Sequence, residues 1–305
     1  LPTAAPTALA PASTPGPTPV PVDVVRSPGY WRSVVARLGR DPVAMAALAV
    51  VVAIVAVAVF APWLAPQDPA KGSMIRRLKP IGTPGYPLGT DELGRDMLSR
   101  LIWGARLSLV MGVTSVPIAF VVGSTIGIVA GYAGGLVNTV IMRTIDVFYA
   151  FPSVLLAVAL SGTLGSGLTN ALVSLTVVFI PQIARVAESV TTQVRKLDYV
   201  DAARASGAGA GTIIRVHILG NVLGPIFVFA TSLVSVSMIL ASGLSFLGLG
   251  VRPPDAEWGL MLNTLRTAIY VNPVVAALPG VMIFVTSIAF NLFSDGLRGA
   301  MDVKS

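Results

Sequence analysis

Uncharged apolar runs of bilayer length recur along the 305 residues, divided by shorter polar stretches. Each comes close to the roughly 20 residues that a spanning helix needs. They predict spans near residues 43–64, 107–132, 145–160, 168–183, 222–247 and 273–293, six transmembrane helices in an all-α polytopic membrane protein. Asp41 and Pro42 predict the start of the first span, an N-cap followed by proline at the first helical position. Trp63 stands at its far end, where an interfacial aromatic belongs. Residues 161–167 are too few and too polar for more than a turn, so spans three and four form a hairpin. Residues 65–106, rich in proline, glycine and charge, predict a long extramembrane loop. Residues 1–25, mostly Pro, Ala and Thr, lack the bulky side chains that offset ordering and predict a disordered tail. The chain thus divides into that tail, a first span with its loop (26–106), and a five-span core (107–305).

Composition agrees with the pattern. Hydrophobic residues make up 54% and charged residues 11%, against about 25% charged in soluble domains. The absence of cysteine excludes disulfides and thiolate sites. A net charge of +7 comes from basic residues scattered between apolar segments, which argues for membrane-flanking loops and against nucleic-acid binding. Arg26, Arg32, Arg37 and Arg40 precede the first span, and Arg185, Arg195, Lys196, Arg204 and Arg215 lie between spans four and five. The positive-inside rule then puts both termini in the cytoplasm. The first outer loop is basic too (Lys71, Arg76, Arg77, Lys79, Arg95, Arg100), so the asymmetry is small.

An ion-driven secondary transporter is the alternative function. It calls for ionisable groups at mid-membrane and for paired inverted repeats. Arg143, Asp146, Arg185 and Glu188 fall near span ends, and no convincing repeat pair is found. Glycine-broken spans such as 123–135 argue against a passive anchor. Arg95 with Asp96 reads as a local solvated pair, and Pro152 as a kink in span three. The sole histidine, His217, has no converging ligands in the sequence, so no metal site is expected. No Gly-x-x-x-x-Gly-Lys-Ser/Thr phosphate loop occurs, so ATP hydrolysis by that device is not expected in this chain; as a membrane-spanning subunit it is expected to be no enzyme and to bind no cofactor itself.

The loop over residues 185–220 is the most specific stretch. Residues 188–205 can continue span four as a projecting helix. Ala202 and Ala203 allow close approach of a partner, and Gly207 can take the left-handed conformation that ends a helix. Residues 208–219 then predict a short helix whose apolar side is Ile213, Ile214, Val216, Ile218 and Leu219. The whole reads equally as an amphipathic surface helix pair.

Asp201-Ala202-Ala203, three residues, Gly207, nine residues, His217-x-Leu219 resembles the loop motif of ABC-importer permeases: Glu-Ala-Ala, three residues, Gly, nine residues, Ile, one residue, Leu-Pro. Asp201 stands for the common Glu, His217 for Ile, and Gly220 for Pro. Further stretches resemble dipeptide, oligopeptide and nickel permeases of the second-subunit type. These are Leu88 to Met97 continuing through Trp103 to Ser108; Arg143-x-x-Asp146 with Ala150-Phe151-Pro152; and Leu244 to Gly250 with Pro253-Pro254 and Glu257-Trp258-Gly259. The resemblance spans about residues 26–304. It implies the type I ABC-importer permease fold in a bacterial inner (plasma) membrane. It implies an ATPase-docking role for Tyr199, Asp201, Ala202, Ala203, Gly207, His217 and Leu219. It also suggests Asp146, Pro152, Ser245 and Trp258 as residues of the translocation path or gate. Implied partners are a second homologous permease, two ATP-binding subunits that carry ATP and magnesium, and an extracytoplasmic binding protein. The implied function is ATP-driven import of di- or oligopeptides or related solutes.

Overall fold

Helices dominate the computed structural model, which describes residues 30–301; the tail expected over 1–25 lies outside them. Helix α1 (Tyr30–Leu38) is amphipathic and sets Val34 and Leu38 against Leu297, Ala300 and Met301. Asp41 accepts from the Val43 and Ala44 amides at 2.9 and 3.1 Å and so starts α2 (Pro42–Val59) at the predicted residue. That cap satisfies two of the orphan donors of the first turn. A short α3 (Ala61–Leu64) ends this arm.

Helix α4 (Met97–Ala133) is the axis of the bundle. Its 37 residues run about 55 Å, well beyond the ~30 Å hydrocarbon core. It begins ten residues earlier than the predicted span, because Trp103 to Arg106 is helix and not loop. Nor do Gly123, Gly127 and Gly131 break it. They form a seam at four-residue spacing that lets α7 (Leu168–Val194) approach backbone to backbone. A Cβ on Gly123 would stand 2.9 Å from the Ile180 carbonyl oxygen, one on Gly127 2.6 Å from the Ala187 Cβ, and one on Gly131 2.8 Å from the Glu188 carbonyl oxygen. The glycine-broken reading of residues 123–135 is therefore corrected: the glycines permit packing.

Between α4 and α7 the expected third span is a bent pair, α5 (Gly135–Tyr149) and α6 (Ser153–Leu164), meeting at 85°. Pro152 disfavours a helical conformation for Phe151 and starts α6 in its own right. Beyond α7 the predicted projecting helix is interrupted over residues 195–197, and α8 (Asp198–Ala205) is a separate element. The short α9 (Ala210–Ile213) then passes through a π-helical turn, Ile214–Ile218, into α10 (Leu219–Phe246). Helix α11 (Trp258–Thr264) and α12 (Pro273–Met301) complete the chain. Among the described residues five helices are long and apolar enough to cross a membrane, or six when the bent pair is taken as one span. Residues 65–96 and 247–272 gather at one end of the bundle, the loop end, and α8 lies at the other.

Candidate functional site

Residues 195–221 form a clip at the α8 end. Acidic Asp198 and Asp201 occupy the first turn of α8 and Arg204 its last, the arrangement that the helix dipole favours. Ser206 and Gly207 close it. The Ala208 amide donates to the Ala203 carbonyl at 3.0 Å and the Gly207 amide to the Arg204 carbonyl at 2.9 Å. Gly207 sits at φ +81°, and a Cβ there would meet nothing within 4 Å. The requirement for glycine is therefore one of backbone conformation. Chain reversal brings the His217 ring to 6.0 Å from the Tyr199 ring, and Asn221 donates to the Tyr199 hydroxyl at 3.2 Å and to the His217 carbonyl at 2.7 Å.

The clip has a buried side and an open one. Val200, Ile213 and Ile218 are wholly buried in the main core. Leu219 and Ala203 are half-buried against it. Tyr199, Asp201, Ala202 and Gly207 are exposed. Among the described residues Asp201 pairs only with its helical neighbour Arg204, at 2.9 Å. Val216, assigned to the apolar side from the sequence, points outward at 61% exposure, because the π-turn shifts the register that an α-helix would give.

Charged side chains join the clip to α4. Arg195 donates to the carbonyls of Gly131 and Tyr132 at 3.2 and 2.9 Å, satisfying orphan acceptors at the negative end of that helix. Its guanidinium also lies against Gly134. Arg204 stacks over the Tyr132 ring at 5.8 Å. Asn138 on α5 donates to Glu188 at 2.7 Å, as does Thr192 at 3.0 Å. The ends of α4, α5 and α7 and the start of α8 are thus bonded into one unit. Val200, Arg195 and Asn221 are absent from the motif reading. Val200 alone had a local signal, an apolar side chain in an otherwise polar helix.

The residues suggested for a path divide into two pairs. Asp146 forms an ion pair with Arg185, whose guanidinium also lies 5.8 Å from the Tyr149 ring. Pro152 lines a cavity of about 360 Å³ at the α5/α6 bend, together with Phe148, Tyr149, Phe151, Val178 and Gln182. Ser245 and Trp258, by contrast, are fully buried within the bundle. The Trp258 indole donates to the Leu101 carbonyl at 3.0 Å, and its ring fills the space left by Gly104.

Trp258 belongs to a polar core at the loop end. Glu257, wholly buried, accepts from the Gly259 and Leu260 amides at 2.9 and 2.8 Å and from the Ser108 hydroxyl at 2.9 Å; Ser108 in turn accepts from the Trp258 amide at 3.0 Å. The carboxylate caps α11 and fastens it to α4. Nearby, Arg95 bonds Asp91 at 2.6 Å and Glu92 at 2.7 Å, and Arg100 approaches Asp91 at 3.1 Å. Arg100 also donates to the Pro69 carbonyl at 3.1 Å. The solvated Arg95–Asp96 pair read from the sequence is corrected on both points. Arg95 is 5% exposed and pairs with Asp91 and Glu92, while Asp96 caps α4 by accepting from Ser99.

Known proteins match both halves of the chain. Residues 123–304 match the family described as binding-protein-dependent transport system inner membrane component, and residues 29–80 the N-terminal transmembrane domain of oligopeptide transport permease C. The glutathione transport system permease protein GsiD of Pectobacterium atrosepticum is 41% identical over 280 residues, covering 92% of each chain. The di/tripeptide transport system permease protein DppC of Pseudomonas aeruginosa is also 41% identical over 280 residues, covering 90% of this chain and 91% of its own. An inward-facing structure of the MetNI methionine ABC transporter has a chain of the same fold, with TM-score 0.54 at 22% identity over 67% of this chain and 97% of its own. The helical bundle and these matches agree: the chain belongs to the binding-protein-dependent transport system inner membrane components, as a permease subunit of an ABC importer.

Proposed function

We propose that this permease carries short peptides, and that the clip over residues 195–221 receives the force of ATP-binding subunits. The carrying observation is the two-sidedness of the clip. Tyr199, Asp201 and Ala202 face outward on α8, while Val200, Ile213 and Ile218 are locked into the core and Arg195 and Arg204 reach α4. A push on α8 is therefore delivered to α4, α7 and α10 together. Such a push shifts the bundle only as far as the ATPases prefer one of its states, by about 5.5 kcal/mol for a nearly complete switch.

In this reading two permease chains, this one and a homologous partner, enclose the path. Two ATP-binding subunits with ATP and magnesium dock beneath them, and an extracytoplasmic binding protein supplies cargo. Both termini face the cytoplasm of a bacterial inner membrane, so that α8 meets the ATPases. Asp146 and Pro152, at the bent α5/α6 pair, line the path. Peptide cargo is supported by relatives whose names specify glutathione and di/tripeptides.

The lack of native cysteine makes a direct test clean. Ala202→Cys in the reconstituted complex is expected to crosslink to a single cysteine in the docking cleft of the ATP-binding subunit, with a yield that changes when ATP is added. No crosslink at any cleft position would overturn the docking role. Uptake of labelled dipeptides and glutathione in the presence of candidate binding proteins tests the cargo.

A further inference from the structure

We propose that a groove between α2 and α12 at the α8 end is a binding site for a phospholipid with an ethanolamine head group. Two adjoining cavities make up this groove. The first, about 420 Å³, carries charged side chains and is lined by Arg37, Asp41, Asp295 and Gly296 among others. The second, about 480 Å³, is apolar and runs between Val43, Ala47 and Val50 of α2 and Phe284, Ile288 and Leu292 of α12. Val43 and Leu292 line both, so the polar chamber adjoins the apolar one.

That sequence of chambers has the polarity of a phospholipid. From Val43 to Val50 the apolar channel follows about 10 Å of helix, most of the hydrocarbon depth of one leaflet. A free phosphate ion would have no use for it. The head chamber is held open by the fold. Leu38 and Val34 pack α1 onto the end of α12, which fixes the helix that brings Arg37 to the chamber lining. Gly296 lets α12 close onto Ala44 and Asp41, while at Gly299 a Cβ would meet nothing within 4 Å. One oxygen of Asp41 is committed to capping α2.

The charges select the head group. Arg37 and Asp295 line one chamber, yet among the described residues neither forms an ion pair, with the other or with anything else. A guanidinium with several N–H donors suits a phosphate. A carboxylate in the same chamber suits a primary ammonium that can both pair with it and donate hydrogen bonds. Ethanolamine phospholipid carries those two charges on adjacent groups. A choline head has the charge without the N–H donors, and a glycerol head offers Asp295 no positive charge.

The test uses the full chain in nanodiscs holding equal amounts of ethanolamine, choline and glycerol phospholipids of matched acyl chains, released and weighed by native mass spectrometry. Wild type is expected to retain one ethanolamine lipid in about fivefold preference over choline, the scale of the net gain from one hydrogen bond that choline cannot donate. Asp295→Asn removes that preference while lipid is still retained; Arg37→Gln lowers retention of ethanolamine and choline lipids together. Leu292→Trp, which fills the channel and leaves both charges, lowers retention of all three. Equal retention of the three lipids by wild type, or preference for the glycerol lipid, would overturn the proposal, and neither result depends on a variant that folds. An unchanged ethanolamine preference in Asp295→Asn would also overturn it.

Discussion

The two ends of this bundle use charge in opposite ways. At the loop end, Asp91, Arg95 and Arg100 are at most 5% exposed, and Glu257 is wholly buried with three donors around it. At the α8 end, Arg195, Arg204 and Glu188 are only partly covered and reach across to carbonyls, a ring and an amide on other helices. A buried ion pair in low dielectric tolerates no loose partner, since desolvated charge without compensation costs several kcal/mol. Such a network fixes one geometry. Partly exposed contacts cost little to make or break, which suits the engagement and release proposed for this surface. The loop end is built to hold α4, α11 and the 65–96 loop together. In the function proposed above, the α8 end passes displacement along.

Four substitutions probe that contrast, from the largest expected effect to the smallest. Asp91→Ala leaves Arg95 and Arg100 buried with one shared acceptor gone, at a cost of about 3–5 kcal/mol. That is a large part of a stability of roughly 5–15 kcal/mol, so the yield of folded chain in detergent should collapse. A normal yield with an unshifted thermal midpoint would mean the network is not structural. Gly127→Val drives a branched side chain into Ala184 and Ala187, and overpacking of this kind costs about 1–3 kcal/mol. Thermal unfolding in detergent should show it, and Gly127→Ala should fall between the variant and wild type.

Gly207→Ala places a side chain at φ +81° in open space. The expected cost is about 1–2 kcal/mol, confined to the clip. It should appear as faster amide exchange over residues 198–213 with little change in global unfolding. Asp201→Ala breaks an exposed pair worth at most about 1 kcal/mol. Its thermal midpoint should match wild type, so any loss of ATP-driven uptake reports on docking and not on the fold.

What was legible in the sequence follows the range of the forces involved. Long apolar runs announce spans because burial in lipid is a local demand, and Asp41-Pro42 marked the start of α2 because a cap is a local device. The start of α4 was obscured by Trp103, Arg106 and their neighbours, since a helix longer than the bilayer is thick need not be apolar at its end. Gly123, Gly127 and Gly131 resemble helix breakers until α7 supplies the backbone that needs the space. The interruption at residues 195–197 is likewise invisible locally, because Arg195 bonds to carbonyls more than sixty residues away. In the clip, the motif named Gly207, Asp201 and Ala202, which are exposed, together with Ala203 and Leu219, which pack half-buried against the core. The tethers that join it to the bundle come from Tyr132, Asn138 and Glu188, on helices no short motif spans.

The central claim is that α8 is a docking surface whose mechanical linkage lies beneath it. Ala202→Trp tests this most directly: the position is exposed, so a large ring there leaves the core untouched while obstructing any close-fitting partner. In the reconstituted transporter, the account predicts a permease with unchanged thermal stability that fails to retain its ATP-binding subunits and loses ATP-driven uptake. Full assembly and uptake at the wild-type rate would contradict it.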